Sequence, residues 1–290
     1  MIEAYIIHLL ILICIFIILS ISLQLSIGFA GLLSLAHIAF YCIGAYTSAL
    51  LALAGVPFWI CIVLAGISAM IFGFLLSIPT NKLKGDYLAL ATLAFHIVVY
   101  AVALNWTGLT RGPLGLPGIP RPSIFGFVFS GNLSFLILTF IIMLICYFIA
   151  KLIISSPFGK ALGAIRDDEL STKVLGKNTF KMKTYALGIS ALIAGIAGSL
   201  YAHYITFIDP SSFHLMQMVP ILAIVIIAGL ASLRGTIIVS IILVLLPEPL
   251  RFIGFPSSMV GPMRQIIYAL ILILILLYKP KGLFGKIKLG

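Results

Sequence analysis

Residues 5–24 read "YIIHLLILICIFIILSISLQ", twenty positions without an Asp, Glu, Lys or Arg. As a helix rising 1.5 Å per residue, a stretch of that length covers about 30 Å, the thickness of a bilayer's hydrocarbon core. A soluble domain has no way to bury such a segment on all sides, so this stretch decides the fold class: the chain crosses a membrane as helix. Glu3 stands before it and no Lys or Arg does, which argues against the basic leader of a cleavable signal. The segment is read as the first spanning helix.

The rest of the 290 residues repeat the theme: 62% are apolar and 9% charged, with a mean hydropathy of +1.28, far from the composition of soluble domains. Further apolar runs lie at 29–54, 57–79, 87–104, 133–154, 184–206, 216–232, 235–254 and 264–279. The expectation is an all-α integral membrane protein, a polytopic bundle of about nine transmembrane helices, within a range of roughly eight to ten. The run 29–54 is long enough to contain a broken helix or re-entrant turn around Ser34 to His37. A β-barrel is excluded because barrel strands alternate in and out over about ten residues, whereas these runs are continuous. Residues 1–290 are read as one membrane domain.

The net charge of +11 reports orientation rather than nucleic-acid binding. With residues 155–183 placed in the cytoplasm, the inside collects Lys82, Lys84, Lys151, Lys160, Arg166, Lys173, Lys177, Lys181, Lys183, Arg234, Lys279, Lys281, Lys286 and Lys288. The outside keeps Arg111, Arg121, Arg251 and Arg264. That sorting follows the positive-inside rule, puts the C-terminus in the cytoplasm and the N-terminus outside, and leaves anionic lipid as the partner of the surplus charge. Cys14, Cys42, Cys61 and Cys146 stand singly in apolar runs without CxxC spacing and read as core thiols. No GxxxxGK[ST] stretch occurs, so ATP chemistry would come from another subunit.

Two polar segments interrupt the apolar runs. Residues 105–132, "NWTGLTRGPLGLPGIPRPSIFGFVFSGN", are punctuated by Gly and Pro and read as an external loop with defined turns. Residues 155–183 hold nine of the chain's charges between Lys160 and Lys183. There Ser156 and Pro157 form an N-cap and first-position pair, and Phe158, Ala161, Leu162 and Ile165 share one helical face. Asp167 or Asp168 can cap a second short helix carrying Leu170 and Val174, which Gly176 stops.

Within the apolar runs, Ser190, Ala194, Gly198 and Ala202 recur every fourth residue, flanked by Ala191, Gly195 and Ser199; Ala65, Ala69 and Gly73 do the same in the third run. Such stripes let helices approach closely in lipid. The deep ionisable groups are His37, His96 and His203, while Glu248 and Arg251 lie near the outer end at a spacing that allows pairing. No deep carboxylate, nucleophile–base pair or metal-spaced cluster is evident, so neither an enzyme activity nor a cofactor or metal is expected.

Seven stretches together resemble the permease subunits of branched-chain amino acid ABC importers of the LivM type. They are "GFAGLLSLAHIAFYCIGAYTSALL" from Gly28, "GDYLALATLAF" from Gly85, "LTRGPLGLPGIPRPSIFG" from Leu109, "SPFGKALGAIRDDELSTKVLGKNTFKMKTYALGISALIAGIAGSLYAH" from Ser156, "FIDPSSF" from Phe207, "LLPEPLR" from Leu245 and "YKPKGLFG" from Tyr278. The pattern departs from the family at Arg111 and His37, where Gly is usual, at Ser171 and Thr172, and in "AGLAS" from Ala228.

The resemblance implies a prokaryotic inner-membrane importer of leucine, isoleucine and valine. Its partners would be a second permease (LivH-like) or a second copy, two cytoplasmic ABC ATPases and an extracytoplasmic substrate-binding protein. Urea, short amides or another amino acid are alternatives within the family; an ion-coupled transporter or a lipid-modifying enzyme is the alternative outside it. It also makes the charged loop the segment that docks on the ATPase. The residues assigned to it are Ser156, Pro157, Phe158, Gly159, Lys160, Leu162, Ile165, Arg166, Asp168, Glu169 and Gly176. Gly28, Gly31, Ser34, His37, Gly44, Thr92, His96, Ser190, Ala194 and Gly198 are candidates for the pathway or for helix packing, and Arg111 and Arg121 for contact with the binding protein. A Leu162→Asp variant with reversed charge at Arg166 is expected to uncouple transport while still inserting.

Overall fold

The computed structural model describes residues 2–83, 85–124, 127–129, 131–251, 257–279 and 281–285. Lys84, Lys286, Lys288 and the side chain of Arg251 fall outside the described residues. The fold class read from the apolar runs is the one found, a helical polytopic bundle. Its long helices are α1 (Ile2–Leu23), α2 (His37–Leu53), α3 (Phe58–Thr80) and α4 (Gly85–Asn105), then, after the four-residue α5 (Thr107–Thr110), α6 (Asn132–Ser155). The short α7 (Pro157–Asp167) and α8 (Glu169–Val174) lead to α9 (Thr179–Ile205), α10 (Met218–Ala228), α11 (Leu233–Leu245) and α12 (Ser257–Tyr278).

Among the described residues six helices are long and apolar enough to cross a bilayer, and three apolar helices are shorter. With 11 residues, α10 reaches only about 17 Å, and α11, with 13, about 20 Å. The run 29–54 does break. α1 continues through a π-helical turn, Gln24–Phe29, residues 31–36 are non-helical, and α2 starts at His37.

Burial is that of a protein solvated by lipid. On α3, Ile60, Val63, Ile67, Ile71, Leu75 and Ile78 are exposed at helical spacing, and on α6 Ile137, Ile141, Ile145 and Phe148 are. In water such apolar faces would aggregate; in hydrocarbon they are the solvated side. α1 and α9 form the buried centre, α9 packed between α2 and α3, and α1 against α6, α9 and α11. Residues 105–132 have the turns expected of them. Strand β1 (Leu116–Pro117) pairs antiparallel with β4 (Phe207–Ile208), and β2 (Ser123–Ile124) with β3 (Phe127–Val128). The Ile119 amide donates to the Thr206 carbonyl at 3.1 Å, pinning the loop over the end of α9.

Candidate functional site

The charged loop folds as its caps dictate. The Ser156 hydroxyl accepts the Gly159 amide at 3.3 Å with Pro157 in the first turn, and the Asp168 carboxylate accepts the Leu170 and Ser171 amides at 2.9 and 3.2 Å. Gly176, at φ +79°, follows the end of α8. Gly159 presses against the last turn of α6, where an added Cβ would collide with the carbonyls of Ile153 and Ile154. The corner between α6 and α7 is therefore tight.

The apolar face of α7 does not point outward. Leu162 is 0% and Ile165 3% exposed, both in the chain's own core, with Phe158 packed beside them. Arg166 reaches the same way: its Nη1 donates to the Gly28 carbonyl at 2.7 Å, while Nε and Nη2 donate to Asp167 at 2.9 and 2.8 Å. Gly31, at φ +68°, makes room for it; a Cβ there would lie 2.7 Å from Arg166 Cγ. The arrangement revises the expectation for Leu162→Asp. A carboxylate at a fully buried position would be unpaired, so that change disrupts the fold rather than uncoupling it.

What the loop offers outward is α8. Leu170, Val174 and Leu175 are 68%, 86% and 78% exposed, the first two one helical turn apart, with Lys160, Lys173 and Lys177 exposed nearby in sequence. Behind this face Glu169 is locked down by Lys183 at 2.6 Å, Lys173 at 3.0 Å and the Thr179 hydroxyl at 3.1 Å. Burial alone would raise its pKa, but the Lys183 and Lys173 hydrogen bonds, Lys183's charge and the Thr179 bond outweigh it, lowering the carboxyl from its ordinary 4.5 to about 2. A depressed carboxylate stabilises the fold fully above the unfolded pKa and ceases to do so as pH falls through the folded one. Glu169→Gln leaves the nearly buried Lys183 without its counter-ion, at a cost on the order of 2–3 kcal/mol, below that of a fully buried pair. Thermal unfolding in detergent should therefore separate variant from wild type at pH 7, and the gap should close between pH 4.5 and 2.

The sequence-chosen pathway residues divide into a seam and isolated positions. Ser22 and Ser190 are reciprocal: the Ser22 hydroxyl donates to the Ser190 carbonyl at 2.8 Å and the Ser190 hydroxyl to the Ser22 carbonyl at 2.5 Å. Since Ser190 has given its proton, it accepts from His37 Nε2 at 2.8 Å. Ser34 caps the Ala36 amide at 3.3 Å, and Thr92 accepts the Leu35 amide at 2.9 Å, so the non-helical 31–36 segment is held by α4. Gly44, Ala194 and Gly198 are packing positions: an added Cβ would lie 2.4 Å from Gly195 Cα at Gly44 and 2.1 Å from the Tyr41 carbonyl oxygen at Gly198, and Ala194 is fully buried. His96 is buried beside Tyr100, with ring centroids 6.4 Å apart, away from the seam.

A second polar cluster gathers around His203, noted as a deep histidine but not assigned to the pathway. His203 Nδ1 contacts the Pro120 carbonyl at 2.7 Å and must donate there, which leaves Nε2 to accept from Ser48 at 3.0 Å; Ser199 completes the set at 2.7 Å from Ser48. Ser22 and Ser48 are polar interruptions of apolar runs, the signal that could have found them, while Ser199 stands beside the small-residue stripe. Arg121 donates to Asn132 at 3.2 Å, and Arg111 adopts φ +61°, the left-handed backbone that suits the Gly the family pattern has there. Glu248 takes Arg264 as its partner at 2.9 Å and also accepts the Tyr5 hydroxyl.

At one end of the bundle the Gly28–Gly31 turn, α7, the 229–232 turn and the 281–285 segment converge. Gln24 donates to the Gly229 carbonyl at 2.9 Å, and the Leu283 and Phe284 amides to the Ile227 and Ala228 carbonyls at 2.8 and 3.0 Å. Among the described residues no three His, Cys, Asp or Glu side chains come together. Lipid-facing apolar helices, a non-helical break ahead of α2 and a capped loop packed on the bundle describe a polytopic helical membrane protein.

The chain belongs to the family described as "Branched-chain amino acid transport system / permease component", which it matches over residues 5–276. It is 35% identical to the high-affinity branched-chain amino acid transport system permease protein LivM of Escherichia coli K12 and 34% to that of Salmonella typhimurium, each over 93% of this chain. It is 30% identical, over 78% of its length, to a probable branched-chain amino acid transport permease protein LivM of Methanocaldococcus jannaschii. The matches cover 67% of each relative. No solved structure matches the chain.

Proposed function

We propose that this chain is the pathway-forming permease of an ATP-driven importer for leucine, isoleucine and valine in a prokaryotic inner membrane. It pairs with a LivH-like permease or a second copy of itself, receives solute from an extracytoplasmic binding protein that contacts the Arg111–Arg121 loop, and is driven by two cytoplasmic ATPases. In this reading the 155–183 loop, the C-terminus and most of the Lys and Arg lie inside, and the N-terminus outside.

The observation that carries the reading is the division of labour between α7 and α8. α8 presents Leu170, Val174 and Leu175 to a partner, while α7 is bolted to the bundle through Leu162, Ile165 and the Arg166 bond to Gly28. A push on α8 is thus delivered to the π-helical end of α1 and the 31–36 break, which leads to His37 and the Ser22–Ser190 seam. Packed elements move as rigid bodies, so closure of the ATPases can switch the access of the bundle. The test is reconstitution with the companion permease, ATPases and binding protein: leucine uptake should require ATP and every companion. Uptake by this chain alone, driven by an ion gradient, would reject the importer reading.

A further inference from the structure

α10 ends without the cap that a helix usually makes from its own next residues. Gly229 follows it at φ +89° and ψ 142°, outside the left-handed α conformation that turns the chain back and offers amides to the last carbonyls. The Gly229 amide reaches the Ile226 carbonyl at 3.1 Å, and the next three carbonyls are met from far along the chain. Leu283 and Phe284, which follow α12, donate to Ile227 and Ala228 at 2.8 and 3.0 Å; Gln24, in the π-helical end of α1, donates to Gly229 at 2.9 Å. Carbonyls at a buried helix end need such partners. Here two distant elements supply them.

Backbone meets backbone along this line. A Cβ at Gly229 would lie 2.6 Å from the Lys281 carbonyl oxygen, and one at Gly282, where φ is +74°, 2.5 Å from Gly229 Cα. A Cβ at Gly28 would lie 2.7 Å from the Ala231 amide nitrogen, and one at Gly235, in α11, 2.8 Å from Phe284 Cβ. Backbones in contact cannot swing aside as side-chain ends do, so residues 281–285, the 229–232 corner and the end of α1 sit together with little slack. The end of α1 is held in turn to α7 by the Arg166 bond to the Gly28 carbonyl, 2.7 Å long.

We infer that residues 281–285 are a positioning element for the coupled step: they clamp the α10–α11 corner from the α12 side, so that the corner is carried along when α7 and the end of α1 move. This rests on the reading of the 155–183 loop as the segment that the ATPases push. α10 and α11, with 11 and 13 residues, are too short to be anchored at both faces of a bilayer, and the corner is the end they share. A cap made by the corner itself would satisfy the helix end and leave it free of its neighbours. A cap made by α1 and by the chain beyond α12 joins three elements into one body, and packed bodies move as units. α12 also packs along α10, so the push is delivered to a helix that the charged loop never touches through its own residues.

The experiment uses the full chain with its companion permease, ATPases and leucine-loaded binding protein in proteoliposomes. Gly282→Val drives a side chain into the Gly229 backbone. Leucine uptake should then fall about ten-fold with membrane abundance within about two-fold of wild type, while binding-protein-stimulated ATP hydrolysis keeps about half its rate or more, so that each leucine consumes about five times the ATP. Gln24→Leu removes the donor on the α1 side alone and should raise the ATP consumed per leucine in the same direction. Abundance falling in step with uptake in both variants would make these contacts part of the fold only, and an unchanged ratio of ATP to leucine in both would make them dispensable; either result overturns the clamp. A second measurement needs no variant. Hydrogen exchange at the Leu283 and Phe284 amides should be equally slow in the resting importer and in one trapped with an ATP analogue, and fast exchange in either state would show a corner that moves without its clamp and overturn the proposal. A complete wild-type importer that moves no leucine rejects the importer reading, whereas a working wild type beside variants that work as well rejects only the clamp.

Discussion

Replacing Leu170 and Val174 together by aspartate should abolish ATP-driven leucine uptake, by ten-fold or more, with the permease still present in the membrane at its normal amount. Both side chains are largely exposed, so the change removes no internal contact. It places two carboxylates where an apolar surface would meet the ATPase, and desolvating them there is costly. The contrasting change is Leu162→Asp, or even Leu162→Ala: this side chain is fully buried, and truncation alone costs about 2–5 kcal/mol. Uptake, ATP hydrolysis and membrane abundance measured side by side separate the two. Leu170 and Val174 variants should lose transport and stimulated hydrolysis at unchanged abundance, whereas Leu162 variants should lose abundance. Normal uptake in the double aspartate variant would remove α8 from the coupling surface.

The second large effect concerns the helix crossing at the centre of the bundle. Gly198→Leu should prevent accumulation of folded protein, and even Gly198→Ala should lower its thermal stability. In an ordinary helix interior Gly→Ala is stabilising by about 1 kcal/mol. Here the sign reverses: an added Cβ at Gly198 would overlap the Tyr41 carbonyl oxygen and lie 2.8 Å from the Ala45 amide, both backbone atoms of α2 that cannot rotate away. Neighbouring Gly195 is closed on its other side, where a Cβ would be 2.6 Å from the Ala65 carbonyl of α3. Forced overpacking costs about 1–3 kcal/mol for added methylenes in a soluble core, and two backbones at contact distance leave less room to relax than that. Gly108, where a Cβ would meet nothing within 4 Å, is the control: Gly108→Ala should leave abundance and unfolding temperature unchanged. A stable Gly198→Leu protein would show that α2 and α9 are not in such close contact.

The stripe through Ser190, Ala194 and Gly198 was legible because only small residues permit that approach, and it was written into the sequence with helical period. The caps at Ser156 and Asp168 and the stop at Gly176 were legible for a similar reason, since orphan amides and a left-handed backbone call for particular side chains next to them. The break before His37 announced itself as a run too long for one span. The apolar face of α7 was visible too, but periodicity says only that the face is covered, not by what. Leu162 and Ile165 lie on the chain's own bundle, and the exposed apolar face belongs to α8, whose six residues are too few for a periodic signal. One partner of Glu248 was equally hidden: Arg264, far along the chain, lies 2.9 Å from its carboxylate, while the side chain of Arg251 falls outside the described residues.

Sequence alone therefore determined that this protein lives in lipid, roughly where each helix runs, and which end carries the charge. These follow from local requirements, length against bilayer thickness and backbone groups that must be paired within their own segment. Tertiary structure alone decided which face of the loop is spare, which hydroxyl His37 meets, and that Arg264 lies against Glu248. Those are properties of side chains brought together from distant positions, and no segment read by itself contains its neighbour across the bundle.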